Sequence, residues 1–105
     1  MTFEEIVAKV KAKTANANVS NVSDFLAIQV NITGEGEGIF YVEVKDGKLS
    51  VEPYEYYDRQ AIVTMKSKNF LALMEGKLDP VVAFTLGKLK IDGSVEKVIE
   101  FSKLL

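Results

Sequence analysis

The feature that most constrains the fold is the stretch GKLDPVVAFTLGKLKI at residues 76–91, in which a Gly-Lys-Leu triplet stands on either side of an apolar run. Asp79 is suited to cap a helix, Pro80 fits the first helical turn, and Gly87 lies just past the end, so the pattern predicts a short helix over Pro80–Leu86. A surface helix keeps a polar face toward water. Because this one holds a single polar side chain, we expect neighbouring elements to cover it on more than one side.

In the rest of the chain the spacing of apolar residues is helical in some segments and strand-like in others. Apolar side chains recur at helical spacing near both ends of the chain and again before Gly76, and they alternate with polar ones in the segments between. The Asp46-Gly47 pair is typical of a tight hairpin with a mirror-image turn. The predicted elements are a helix over Thr2–Lys13, strands over Phe25–Ile32, Ile39–Val44, Lys48–Val51 and Ala61–Met65, a helix with Ser67 as its N-cap, the helix over Pro80–Leu86, a strand over Lys88–Ile91, and a last helix after Ser94.

This order of elements predicts an α+β fold with a five-stranded, mostly antiparallel sheet covered by helices on one face. On the first strand, Leu26, Ile28, Val30 and Ile32 are predicted to face the core, with Gln29 and Asn31 on the other face. The 105 residues suit one domain over residues 1–105.

Composition excludes several classes of chemistry. The chain has neither cysteine nor histidine, which excludes disulfides, thiolate nucleophiles, imidazole bases and nearly all zinc sites. Thirteen basic and fifteen acidic residues are mixed along the chain, so we expect no nucleic-acid partner. Asp24, Asp58 and Asp79 each suit a turn or a cap, and no nucleophile stands beside a base. We therefore predict no catalytic site, no metal and no cofactor.

The first residues are charged and amphipathic and lack the apolar centre of a signal peptide, so we expect a cytoplasmic protein. Two triplets, Asn18-Val19-Ser20 and Asn21-Val22-Ser23, match the glycosylation pattern, but without export they are expected to be turn-forming polar residues.

The motif FLxLxxGKLDPxxAFxxGKLKIxG at residues 70–93 resembles the signature of the sterol carrier protein 2 (SCP-2) domain family, and the element order resembles that family over essentially the whole chain. The resemblance implies a five-stranded sheet and helices that enclose an apolar tunnel for fatty acids, fatty acyl-CoA or sterols. It implies carriage of lipid without catalysis. The length suits a stand-alone member of the family.

Eukaryotic members often end in a peroxisomal Ser-Lys-Leu, whereas here Ser102-Lys103-Leu104 is followed by Leu105. We therefore expect a prokaryotic-type member and a fatty-acyl ligand in preference to a sterol.

The predicted lipid-binding residues come from the central helices, the fifth strand and the last helix, the last being the best candidate for a lid. For each of them the alternative is an ordinary place in the core. An empty void of about 300 Å³ would cost on the order of 7 kcal/mol, so a cavity here should hold lipid or partly collapse. Polar candidates for a lipid head group are Gln29, Asn31, Tyr54, Tyr56, Tyr57, Lys77 and Lys88. The predicted lipid-binding set is Phe70, Leu73, Met74, Val81, Phe84, Leu86, Ile91, Val98, Phe101 and Leu105.

The expected partners are a small-molecule lipid and, transiently, a membrane, with a monomer as the first expectation and a dimer as the alternative. The alternative function is an interaction or oligomerisation domain that works with a separate enzyme, because similar domains occur as appended modules in alkyl sulfatases and some acetyltransferases. In that case the apolar helices would bury against a protein.

Overall fold

Five strands and four helices make up the structure, a computed structural model that describes residues 1–20, 22 and 25–105. They are α1 (Phe3–Thr14), β1 (Phe25–Thr33), β2 (Gly38–Lys45), β3 (Lys48–Glu52), β4 (Ala61–Lys66), α2 (Ser67–Met74), α3 (Pro80–Thr85), β5 (Leu89–Gly93) and α4 (Val95–Ser102). The strands lie in the order β3-β2-β1-β4-β5, and every neighbouring pair is antiparallel except β1 with β4, which is parallel. The predicted α+β fold with a mostly antiparallel sheet is confirmed.

The loop before β1 is described only in part. The Asn18 side chain accepts a hydrogen bond from the Ser20 backbone N–H at 3.0 Å, as expected of a turn-forming residue. The second glycosylation triplet, through Asn21 and Ser23, and the turn predicted at Asp24 lie outside the described residues.

The core lies between one face of the sheet and the helices. Phe40 on β2 has its ring centroid 6.3 Å from that of Phe3 on α1 and 5.8 Å from that of Phe70 on α2. Phe101 adds a buried ring from α4. The alternate positions of β1 that were predicted to face the core all belong to the main hydrophobic core, so the orientation of this strand follows its hydrophobic pattern. The confirmed set is Leu26, Ile28, Val30 and Ile32.

The other face of β1 is also covered, by the segment between β3 and β4. The Tyr56 backbone N–H donates to Gln29 Oε1 at 3.2 Å, and the Tyr56 ring packs 4.9 Å from that of Tyr41. Gln29 Nε2 in turn donates to Asn31 Oδ1 at 3.0 Å, so these two amides bind within the protein. The Tyr56 hydroxyl donates to the Glu43 carboxylate.

The raised pKa of the Tyr56 hydroxyl predicts how the unfolding free energy depends on pH. The hydrogen bond to Glu43, with burial as the next cause, raises the pKa of Tyr56 to about 12, whereas an unfolded tyrosine titrates near pH ~10. The folded state holds this proton more tightly, so its contribution is complete below pH ~10 and is lost as the pH rises toward ~12. We expect Tyr56→Phe to flatten the fall in unfolding free energy across this window, as measured by urea denaturation.

The matched control is Tyr57→Phe, since Tyr57 is almost fully exposed and has no such bond. Tyr41, whose pKa burial also raises, contributes to the same window, so the slope should shrink and not vanish. Equal slopes for Tyr56→Phe and the wild type would contradict the assignment.

The start of α2 differs from the prediction. Ser67 was predicted to be the N-cap, which is wrong, because Lys66 holds that position with an extended backbone and no side-chain hydrogen bond. The cause is that β4 runs into α2 without a loop, so the cap falls on the last residue of the strand. Ser67 is instead the first helical residue, and it is buried.

The two Gly-Lys pairs end consecutive helices in the same way. Gly76 and Gly87 have φ of 74° and 75°, in the left-handed region that glycine adopts without strain. The backbone N–H of the following lysine then closes each helix, from Lys77 to Ala72 O at 2.9 Å and from Lys88 to Ala83 O at 2.8 Å. This is the Schellman motif, so each triplet marks a helix end.

The predicted cover over α3 is absent. Asp79 caps the helix as predicted, accepting from the backbone N–H groups of Val81 at 2.8 Å and Val82 at 3.1 Å. Ala83 is its buried residue, while Val81, Val82, Phe84 and Leu86 are 49–62% exposed. The expectation that neighbouring elements cover this run on more than one side is therefore wrong. A helix of six residues rests on the sheet through one side chain and leaves its other apolar positions open.

Candidate functional site

A groove of about 200 Å³ opens between α3, β5 and α4, and we call it the apolar groove. All of its wall residues are apolar, and they come from the three elements in turn. They are Pro80, Val81 and Phe84 of α3, Leu89 and Ile91 of β5, and Val95, Val98 and Ile99 of α4.

Local sequence rules place these side chains. Leu89 and Ile91 are two apart on a strand and so point to the same face of the sheet. Val95 and Ile99 are four apart on α4 and share a face of that helix. Ser94 fixes the start of α4, because its side chain accepts a hydrogen bond from the Lys97 backbone N–H at 3.2 Å.

The groove has a buried floor and an open rim. Leu89 and Val98 form the floor and are nearly inaccessible to solvent. On the rim, Val95 and Ile99 are 47% and 40% exposed, and they face the exposed Val81 and Phe84 of α3. Apolar side chains gathered around a concave surface in this way are typical of a binding site. The arrangement is an open groove, so the structure does not confirm the enclosed tunnel that the resemblance implied.

Four of the ten predicted lipid-binding residues line the apolar groove, namely Val81, Phe84, Ile91 and Val98. Phe70, Met74 and Phe101 are buried in the core, and Leu73 and Leu105 pack against it. Leu86 is exposed and lies outside the groove wall. Whether any of the ten contacts lipid stays a prediction.

The apolar groove covers only part of the place predicted for the ligand. An acyl chain was expected between the sheet and both central helices, including the helix before Gly76, and this stays a prediction. The fully buried Phe70 and the nearly buried Met74 instead fill the space between α2 and the sheet. The groove uses α3 and α4, and it runs along the edge strand β5.

Four wall residues are missing from the predicted set, namely Pro80, Leu89, Val95 and Ile99. Leu89 could have been found from its alternation with Ile91. Val95 and Ile99 lie on the apolar stripe of the last helix together with Val98. No sequence pattern indicates that Val95 and Ile99 of α4 lie opposite α3.

The polar candidates lie away from the groove wall. Lys77 pairs with Glu75 at 3.6 Å, and both are solvent-exposed. Lys88 lies on the opposite side of β5 from Leu89. Since the wall is hydrocarbon throughout, the groove offers no group that could act as an acid, a base or a nucleophile. Within the described part of the chain, no helix has the length and hydropathy needed to cross a bilayer.

Comparison with known proteins adds independent findings. Residues 3–105 match the SCP-2 sterol transfer family. Sterol carrier protein 2 of Homo sapiens is 34% identical over 105 residues, a match that covers 99% of this chain and 19% of that protein. The chain therefore spans about a fifth of the length of this curated relative.

Two solved structures share the fold. The crystal structure of sterol carrier protein 2 like 2 from Aedes aegypti has a TM-score of 0.73 at 20% identity and covers 97% of this chain and 94% of its own. The solution structure of the palmitated form of that protein also has a TM-score of 0.73, at 22% identity, and covers 99% and 94%.

Proposed function

The chain belongs to the SCP-2 sterol transfer family, and from this premise we propose that it binds a fatty acyl chain in the apolar groove and carries it without chemical change. Residues 1–105 act as one lipid-binding domain in this proposal. The observation that carries it is the groove itself, a concave wall of hydrocarbon side chains whose rim stands open to water.

The energetics favour an acyl chain. Each methylene that leaves water for an apolar surface contributes about 0.8 kcal/mol, and the exposed rim residues gain the same kind of stabilisation when they are covered. A volume of about 200 Å³ is below the ~300 Å³ at which small-molecule pockets begin. A flexible chain can occupy such a groove with one segment at a time, whereas a rigid ring system needs the whole space at once. The palmitated form of a protein with the same fold supports this choice.

The ligand is expected to widen the groove by moving the first turns of α4. This part of the helix presents the exposed Val95 and Ile99, whereas Phe101 and, just past the helix, Leu104 are buried and hold the C-terminal end. Tilting the first turn breaks the burial of Val98 and the hydrogen bond from Lys97 Nζ to the Phe25 carbonyl at 3.3 Å, so contacts with the bound acyl chain have to offset these losses. In this proposal only the part of the last helix around Val95 and Ile99 acts as the predicted lid, and the rest of the helix stays in place.

The direct test is binding of palmitate to delipidated protein, followed by native mass spectrometry and by thermal unfolding. A ligand that binds only the folded state stabilises it by about 2.7 kcal/mol at ~100 times its Kd. For a chain of this size we expect the melting temperature to rise by at least about 10 °C. The absence of both a bound mass and a thermal shift at saturating palmitate would refute the proposal.

The alternative, an interaction domain, would use the same exposed apolar side chains, and no observation favours it over the carrier. Light scattering during size-exclusion chromatography separates the two. A stable dimer without affinity for palmitate would support the interaction domain.

A further inference from the structure

A second concave surface, of about 530 Å³, lies on the other side of β5 and carries four lysines. We call it the lysine cleft and define it by Lys66, Lys68, Lys88 and Lys90. All four are exposed, and none of the residues that line the cleft is acidic. No ion pair among the described residues uses any of the four ammonium groups. Four unpaired cations thus stand together on a protein whose net charge is −2.

The topology brings these lysines together from three elements. Lys66 is the last residue of β4, and Lys68 follows in the first turn of α2, which has no acidic residue. Lys88, just before the edge strand, and Lys90 within it alternate with the groove residues Leu89 and Ile91. The two sites therefore lie on opposite sides of a single strand. Lysines on an edge strand commonly prevent sheet-to-sheet pairing, but this explains neither Lys66 nor Lys68, which lie off that edge.

An exposed apolar side chain adjoins the lysine cleft in sequence, and a second lies one helical turn before it. Val82 and Leu86 are 49% and 62% exposed, and neither is part of the groove wall. Leu86 is followed immediately by Gly87 and Lys88, which both line the cleft. We call Val82 and Leu86 the apolar ridge. Clustered cations next to exposed apolar side chains match the interface of an anionic bilayer, where phosphates meet acyl chains.

We propose that the apolar ridge and the lysine cleft together form a docking surface for an anionic phospholipid bilayer. The ridge enters the boundary between head groups and acyl chains, and the four lysines bind the head-group phosphates. Because the ridge consists of Val82 on α3 and the C-cap Leu86, and part of the groove wall belongs to the same short helix, docking brings the groove to the membrane. This inference rests on the proposed carrier function, because a docking surface is useful to a protein that takes up or delivers lipid at a membrane.

The test is co-sedimentation with phosphatidylcholine vesicles that contain about one third phosphatidylserine. Each lysine near such a surface strengthens binding about fivefold, so the variant K66Q/K68Q/K88Q/K90Q, which loses all four, should bind about 600-fold more weakly. The matched control K11Q/K13Q/K45Q/K48Q removes the same charge from exposed sites on α1 and the β2–β3 hairpin and should bind far better. Raising the salt concentration should weaken the wild type toward the level of the cleft variant.

The apolar ridge is tested by Leu86→Ser, which changes an exposed side chain and should weaken vesicle binding at least about threefold with no loss of folding. Equal losses in the cleft variant and its control, or equal wild-type binding to pure phosphatidylcholine, would overturn the docking surface. So would a dimer, seen by light scattering, that forms through the ridge and does not sediment with the vesicles.

Palmitate binding in the absence of membranes distinguishes the two proposals. Both lysine variants should bind palmitate as the wild type does, since no lysine lines the groove. A wild-type protein that binds palmitate but never sediments with anionic vesicles overturns the docking surface alone. One that sediments but does not bind palmitate overturns the carrier function alone.

Discussion

Val81→Trp is expected to lower the affinity for palmitate about a hundredfold while the protein stays folded. Val81 is 62% exposed on the groove rim, so the larger side chain can be accommodated without disturbing the core. An indole that turns into a groove of about 200 Å³ excludes several methylenes of the ligand. At about 0.8 kcal/mol for each, the loss of four costs ~3 kcal/mol, which corresponds to about two powers of ten in Kd.

Val82→Trp is the matched control. Val82 is the next residue on the same helix and is also exposed, but it does not line the groove. The variant Val82→Trp should bind palmitate with wild-type affinity. The unfolding free energies of both variants should lie within about 0.5 kcal/mol of that of the wild type. Fluorescence titration with palmitate and urea denaturation measure the two quantities. Equal affinities for the two variants would place the ligand somewhere other than the apolar groove.

The second large effect is expected at Phe70, which was predicted to contact lipid but lies in the core. Its ring is fully buried and meets that of Phe40 edge-on at 5.8 Å. Phe70→Ala should therefore lower the unfolding free energy by about 3–5 kcal/mol through the cavity it leaves. At temperatures where the variant is folded, its affinity for palmitate should remain that of the wild type.

Phe84→Ala should show the opposite result. Phe84 is half exposed on the groove wall, so truncating it should cost less than about 1 kcal/mol of stability but should weaken palmitate binding. Urea denaturation and palmitate titration of both variants complete the comparison. A loss of affinity in folded Phe70→Ala equal to that in Phe84→Ala would mean that the ligand also enters the core beneath α2.

Local rules predicted most element boundaries. The cap at Asp79 and the glycine ends of α2 and α3 depend on residues within one or two turns of one another, so they are readable from the sequence. The hairpin turn at Asp46-Gly47 is local in the same sense, and both residues have positive φ. Ser67 was misplaced because the sequence gives no sign that a strand enters the helix directly.

The site was harder to predict because it depends on contacts between distant segments. An apolar side chain looks the same in sequence whether it fills a core, as Phe70 does, or lines a groove, as Phe84 does. Which outcome holds depends on where α2, α3 and α4 settle on the sheet. That placement follows from the parallel pairing of β1 with β4, and no local pattern encodes this pairing.

The same parallel pair sets the order in which the molecule can assemble. Ile28 on β1 pairs with Ala61 on β4, more than thirty residues later. Forming this contact closes a long loop, so the loss of chain entropy comes before the contact can stabilise the fold. The hairpin of β2 and β3 needs no such closure and can form early. Since α3, β5 and α4 all follow β4 in the chain, they leave the ribosome after the four other strands of the sheet. The side chains that wall the apolar groove are thus synthesised only after the rest of the sheet.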